Sequence, residues 1–135
     1  PPWNQGHIRK GSATKDGKHP GHWAVKVVTG GKYSFSLRRW PAEANKPINA
    51  GLPKLPNVPG ATKPFSATPG KAFAFKTATL RVDGKDLSSA PIKEGDTHVV
   101  FTADLAKGSH KLAPVFKTAD GKEVGAYYLI VQPAK

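Results

Sequence analysis

The chain contains no cysteine and no methionine. The first absence excludes disulfides, thiolate metal sites and thiol nucleophiles. It leaves the redox compartment unread, since a chain without thiols suits either side of a membrane. The second absence, with Pro1-Pro2 at the start, predicts a processed or excised piece of a larger product. Acidic residues are scarce, nine Asp and Glu against 21 Lys and Arg, for a formal net charge of +12. No apolar run approaches the roughly 18 residues that span a bilayer, and no stretch reads as a signal peptide. With 135 residues, the chain predicts one domain over 1–135, large enough to bury a core without staples.

The positive charge is uneven. Residues 1–40 hold eight Lys and Arg and a single acid, Asp16. Such a field attracts polyanions: nucleic acid, acidic polysaccharide or anionic lipid. Dispersed lysines are equally the surface of any soluble domain. Nucleic-acid binding would want aromatics interleaved with cations on an open face. Here Trp23, Tyr33, Phe35 and Phe101 occupy core-phase positions, which predicts packing, so no nucleic-acid partner is expected.

Short alternating runs separated by turn signals predict an all-β fold. Trp23, Val25 and Val27 alternate with Ala24 and Lys26. Thr29-Gly30-Gly31 follows as a hairpin signal, with Lys32–Trp40 as partner. Ala72–Val82 is a long run closed by Asp83-Gly84, and Lys85–Leu87 returns briefly. Thr97–Leu105 turns through Ala106–Ser109 into His110–Lys117. Asp120-Gly121 leads into Val124–Gln132. These runs have the length of sandwich strands, with turns short enough for antiparallel neighbours. Residues 9–21 are polar, basic and glycine-rich. Residues 41–71 hold seven prolines, which bars a central strand. They predict an ordered excursion, its proline-rich part at 44–71, with one helical turn at 42–45 led by Pro41.

Catalytic constellations are thin. No Gly-x-Ser-x-Gly elbow is present and no Ser, His and Asp stand out as a unit. Paired glycosidase carboxylates would come from a small pool, because Asp83, Asp120 and Glu94-Gly95-Asp96 read as turns. His19 and His22 are too few ligands for zinc, so no metal site is expected. What remains is a binding or structural β-domain. Its polar-aromatic candidates are Trp3, Asn4 and Gln5, then Arg38, Arg39 and Trp40, then Tyr127 and Tyr128. Aromatic rings pack on sugar faces, and arginine forks hold carboxylate or sulfate. Trp3 also suits a cap on the core.

Several of these stretches resemble a known family. Trp3-Asn4-Gln5, Gly21-His22-Trp23-Ala24-Val25 and Gly31-Lys32-Tyr33 run on to Leu37-Arg38-Arg39-Trp40-Pro41-Ala42-Glu43. Leu105-Ala106-Lys107-Gly108, Asp120-Gly121-Lys122 and Gly125-Ala126-Tyr127-Tyr128 follow. In this order they resemble the C-terminal region of bacterial arylsulfatases of the formylglycine-dependent sulfatase family. The resemblance spans nearly the whole chain except 44–71. It implies hydrolysis of sulfate esters in a parent enzyme, with a formylglycine nucleophile and a calcium ion in a catalytic domain that this chain lacks. No Cys/Ser-x-Pro/Ala-x-Arg motif occurs; Ser88-Ser89-Ala90-Pro91-Ile92 comes nearest and ends in Ile.

The expectation is therefore an antiparallel β-sandwich, jelly-roll-like, without catalytic residues or cofactor of its own. By resemblance it is the C-terminal domain of a secreted or periplasmic sulfatase, packing on the catalytic domain and charging the cleft for a sulfated polysaccharide. The alternative is an independent carbohydrate-binding module for an anionic polysaccharide. Arg38, Arg39 and Glu43 are expected to make paired contacts at a seam with the catalytic domain or with the proline-rich segment.

Overall fold

In the computed structural model, residues 22–51, 53, 59–60 and 72–134 are described. Eight strands form among them: β1 Trp23–Val27, β2 Gly31–Arg38, β3 Phe75–Val82, β4 Lys85–Pro91, β5 Val99–Leu105, β6 Gly108–Thr118, β7 Glu123–Gly125 and β8 Tyr128–Pro133. No helix occurs among the described residues. Sheet A runs β1-β6-β3-β4, with β7 also on β6, and sheet B runs β5-β2-β8. Every pairing is antiparallel. The fold is the all-β antiparallel sandwich that the alternation predicts.

The connections differ from the expected hairpins. Thr29-Gly30-Gly31 does not fold β1 back on β2: β1 pairs with β6, and β2 with β5 and β8. The link instead carries the chain from one sheet to the other. A Cβ on Gly30 would lie 3.2 Å from the Lys107 backbone nitrogen, so glycine lets this link pass tightly over the β5–β6 turn. Ala106–Ser109 likewise switches sheets. The run Val124–Gln132 breaks into β7 in sheet A and β8 in sheet B. Five of the seven connections cross between sheets; β3–β4 and β6–β7 are the local hairpins. At the first of these Asp83 and Gly84 both take positive φ, 52° and 83°, which a tight two-residue turn with Asp-Gly requires. β4 is longer than Lys85–Leu87 and ends on Pro91, at a sheet edge where a missing N–H costs no ladder bond.

The core lies where the two inner faces meet. Phe35 and Leu37 of sheet B face Ala78, Leu80, Leu112 and Phe116 of sheet A, all buried. Each such large apolar side chain contributes about 1.5–3 kcal/mol on burial. Phe73 stacks on Phe75 at 4.7 Å, and Phe75 tilts against Phe116 at 5.5 Å. Pro114 sits inside β6, where a proline would ordinarily break a ladder. It falls between the residues paired to β1, which end at Leu112, and those paired to β7, which start at Val115.

Beyond β2 the chain makes the expected single turn: the Ala44 and Asn45 amides donate to the Pro41 carbonyl. The following residues are ordered against the sandwich. Ile48 is buried and its amide donates to the Asp96 carbonyl at 2.8 Å. The Asn49 amide brackets Phe75, accepting from its N–H at 2.8 Å and donating to its carbonyl at 3.1 Å.

Candidate functional site

Alternation splits the polar-aromatic candidates between two places. On β2, Ser34, Ser36 and Arg38 point away from the core residues Tyr33, Phe35 and Leu37. Register brings matching residues alongside them: Arg38 lies opposite Tyr128, and Ser36 lies between Val100 and Ile130. Ser34 lies between Thr102 and Gln132, and Lys32 opposite Asp104. The outer face of sheet B is thus a platform of hydroxyl, amide and aliphatic side chains with a tyrosine and an arginine together at one end. Val100 and Ile130 are exposed on it. Arg38 is half-buried, and its Nε is shielded without a hydrogen-bond partner among the described residues. Among the described residues no carboxylate comes within ion-pair distance of it.

Arg39 goes the other way. It is fully buried, its guanidinium 4.3 Å from the Trp40 ring centroid and 4.8 Å from that of Phe73. It donates to the carbonyls of Ile48 at 3.3 Å and Ala50 at 3.1 Å. Burial brings its pKa down to about 10, and nearby Tyr127 acts against that fall, so it remains a cation at neutral pH. Trp40 follows it inside, 3 % exposed, its Nε1 donating to the same Ala50 carbonyl at 3.0 Å. The sequence places Trp40 on the outer face with Arg38. The strand ends at Arg38, however, so the two-residue period stops there and no longer governs Trp40.

Arg39 and Trp40 therefore clamp the start of the proline-rich segment to the sandwich. Glu43 is exposed, and no ion pair to it occurs among the described residues. Tyr127 packs against the core. Trp3, Asn4, Gln5 and His19 lie outside the described residues. Among the described residues no group of three His, Cys, Asp or Glu is placed to hold a metal ion, and no helix is long and apolar enough to cross a membrane.

The structure also adds residues that sequence reading did not select. Ser34, Ser36, Thr102, Gln132, Val100 and Ile130 share the platform with Arg38 and Tyr128. The Ser-x-Ser phase of β2 was visible, but the flanking strands that widen it into a face come from residues 99–105 and 128–133. Trp23 departs from its packing expectation. It holds a core-phase position opposite Leu112, yet is 42 % exposed because it begins the edge strand.

The outer face of sheet A is finished differently. Arg81 Nε contacts Asp86 at 2.7 Å and its Nη2 contacts Glu123 at 3.1 Å; Lys117 lies 3.7 and 3.5 Å from the same two acids. The Arg81–Glu123 pair reaches from β3 to β7 across β6. Beneath it Val115 and Thr79 are buried. The Arg81 hydrogen bonds hold the Glu123 and Asp86 carboxyls below their ordinary range. At the turn end, the Asp83 carboxylate accepts from the Lys111 amide at 2.9 Å and faces His110 Nδ1 at 2.8 Å. His110 Nε2 lies 2.8 Å from the Ala106 carbonyl. Both ring nitrogens face acceptors, which suits the imidazolium, and the Asp83 contact raises the His110 pKa.

No family model matches the chain. No curated protein matches it. Among solved structures it is similar to the CBM35 of Abf62 from Cellvibrio japonicus, at 14 % identity and a TM-score of 0.44, over 84 % of this chain and 65 % of that one. It is also similar to a family 35 carbohydrate-binding module from an environmental isolate, at 14 % identity and TM-score 0.43, over 84 % and 68 %. The EclA C-terminal domain, described as a sugar-binding protein, shares 13 % identity at TM-score 0.40, over 93 % and 74 %.

Proposed function

We propose that this domain is a non-catalytic carbohydrate-binding module that seats an acidic polysaccharide on the outer face of sheet B. One observation carries the reading: Tyr128 and Arg38 stand directly opposite each other at the end of a face otherwise set with hydroxyl, amide and aliphatic side chains. The tyrosine ring offers an apolar surface to a sugar ring. The arginine offers a fork to a carboxylate or sulfate, with an Nε that no described residue satisfies. Ser34, Ser36, Thr102 and Gln132 supply donors and acceptors for sugar hydroxyls. On this reading the domain works outside the cytoplasm, where such polymers lie.

The test is a calorimetric titration of the chain with neutral and acidic oligosaccharides. Binding that weakens about tenfold or more in Tyr128→Ala, with unchanged thermal stability, supports the site. Unaltered affinity in that variant rejects it. Release of product from a chromogenic sulfate ester would overturn the non-catalytic assignment.

The sulfatase reading places the same face differently. Val100 and Ile130 flank Ser36 as an exposed apolar row, the kind of surface that docks on a partner domain. A gene that encodes a Cys/Ser-x-Pro/Ala-x-Arg motif upstream of this chain would favour it, and a gene without one would sink it.

A further inference from the structure

We infer that the polysaccharide taken by this face is sparsely charged, with one anionic group at the Arg38–Tyr128 end and neutral hydroxylated units along the rest. The inference rests on the binding reading above. The face has four successive rows along β2, spaced about 6.6–6.8 Å apart by the two-residue repeat. The first row is Arg38 with Tyr128. The second is Val100, Ser36 and Ile130. The third is Thr102, Ser34 and Gln132. The fourth sets Lys32 directly opposite Asp104 in register, one cation and one anion, so the row carries no net charge.

Among the described residues of these four rows, Arg38 is thus the one charge without an opposite charge facing it. A densely sulfated chain laid here would put anions on the aliphatic second row, where they would lose water without gaining a partner. It would also bring anions to Asp104.

Several other cations among the described residues lie elsewhere. Arg81 and Lys117 are tied to Asp86 and Glu123 on sheet A. Lys26 and Lys111 belong to β1 and β6 of sheet A, and Arg39 is buried. Among the described residues thirteen Lys and Arg stand against eight Asp and Glu, and they do not converge on sheet B. Among the described residues, then, positive charge is not gathered on the face.

The test compares three oligosaccharides of equal length on the 135-residue chain: one neutral, one with a single uronate, and one sulfated on every unit. Each is titrated between roughly 50 and 300 mM salt. The singly acidic sugar is expected to bind about tenfold tighter than the neutral one, with only a weak salt dependence, as for a single screened ion pair. Arg38→Gln should erase that preference. Tightest binding by the fully sulfated sugar, with a steep salt dependence that survives Arg38→Gln, overturns the inference while leaving a sugar-binding domain. Equal affinity for neutral and singly acidic sugars overturns it too. If none of the three binds, the functional reading itself falls.

Discussion

On the outer face of sheet A, Arg81 divides its guanidinium between Asp86 and Glu123, and Lys117 leans on both acids. On the outer face of sheet B, Arg38 meets no carboxylate among the described residues, and Val100 and Ile130 stand exposed beside it. The two faces belong to one sandwich and share one core. On sheet A the polar side chains satisfy one another and roof over Val115; on sheet B they remain turned outward. Polar residues that neutralise each other stabilise a fold, whereas polar residues left available offer a ligand something to bind.

The largest contrast should come from trimming matched valines. Val115→Ala removes two methyl groups from a fully buried site and is expected to cost about 2 kcal/mol in denaturant unfolding. Val100→Ala, on the open face, should stay within about 0.5 kcal/mol. Equal losses at the two positions would erase the distinction between a roofed and an open face.

A smaller contrast is expected from the arginines. Arg81→Met leaves Glu123 and Asp86 without their main partner and should cost about 1 kcal/mol, a modest figure because Asp86 is nearly half exposed. Arg38→Met should barely move the unfolding midpoint while abolishing the preference for an acidic sugar. If Arg38→Met proves the more destabilising, then Arg38 belongs to the scaffold and not to a site.

The smallest effects lie in the pH dependence. Asp86 and Glu123 have depressed pKa values in the fold, so their contribution is present above the ordinary carboxylate range and lost as pH falls through the folded values. The acid side of a melting-temperature profile should therefore flatten in Arg81→Met. His110 has a raised pKa, so its contribution is complete below about 6.5 and fades as pH rises through the folded value. His110→Gln should flatten that alkaline side and also soften the acid side, because the His110 contact is what chiefly lowers the Asp83 pKa. Both sides should persist in Arg38→Met, whose face takes part in neither; a profile changed by that substitution would contradict the assignment.

Much of the fold was legible because alternation with a period of two is local. Val99, Phe101 and Leu105 announce one buried face, and Asp83-Gly84 announces a tight hairpin. The destination of a turn is not local. Thr29-Gly30-Gly31 has the chemistry of a hairpin, yet it crosses between sheets because β6, some 80 residues away, takes β1 as its neighbour. At the candidate site, the outward phase of Arg38 could be read from Tyr33, Phe35 and Leu37. The burial of Trp40 could not, since its partner is the Ala50 carbonyl and carbonyls leave no mark in a sequence. Tyr127 and Tyr128 looked equivalent. One packs toward the core near Arg39 and the other lies opposite Arg38, because β8 begins between them.

The crossing connections bear on the order in which the domain can form. Sheet A contains two hairpins whose strands are adjacent in the chain and can close early at small entropic cost. Sheet B contains none. Its central strand β2 takes one partner at 99–105 and the other at 128–133. As the chain is synthesised, Phe35 and Leu37 emerge well before both partner strands, and sheet B is complete only once 128–133 has followed. The proposed binding face is thus completed after the sheet A strands have emerged. In pulsed hydrogen exchange, amides of β3 and β4 should gain protection before those of β8; simultaneous protection would show that the two sheets form as one.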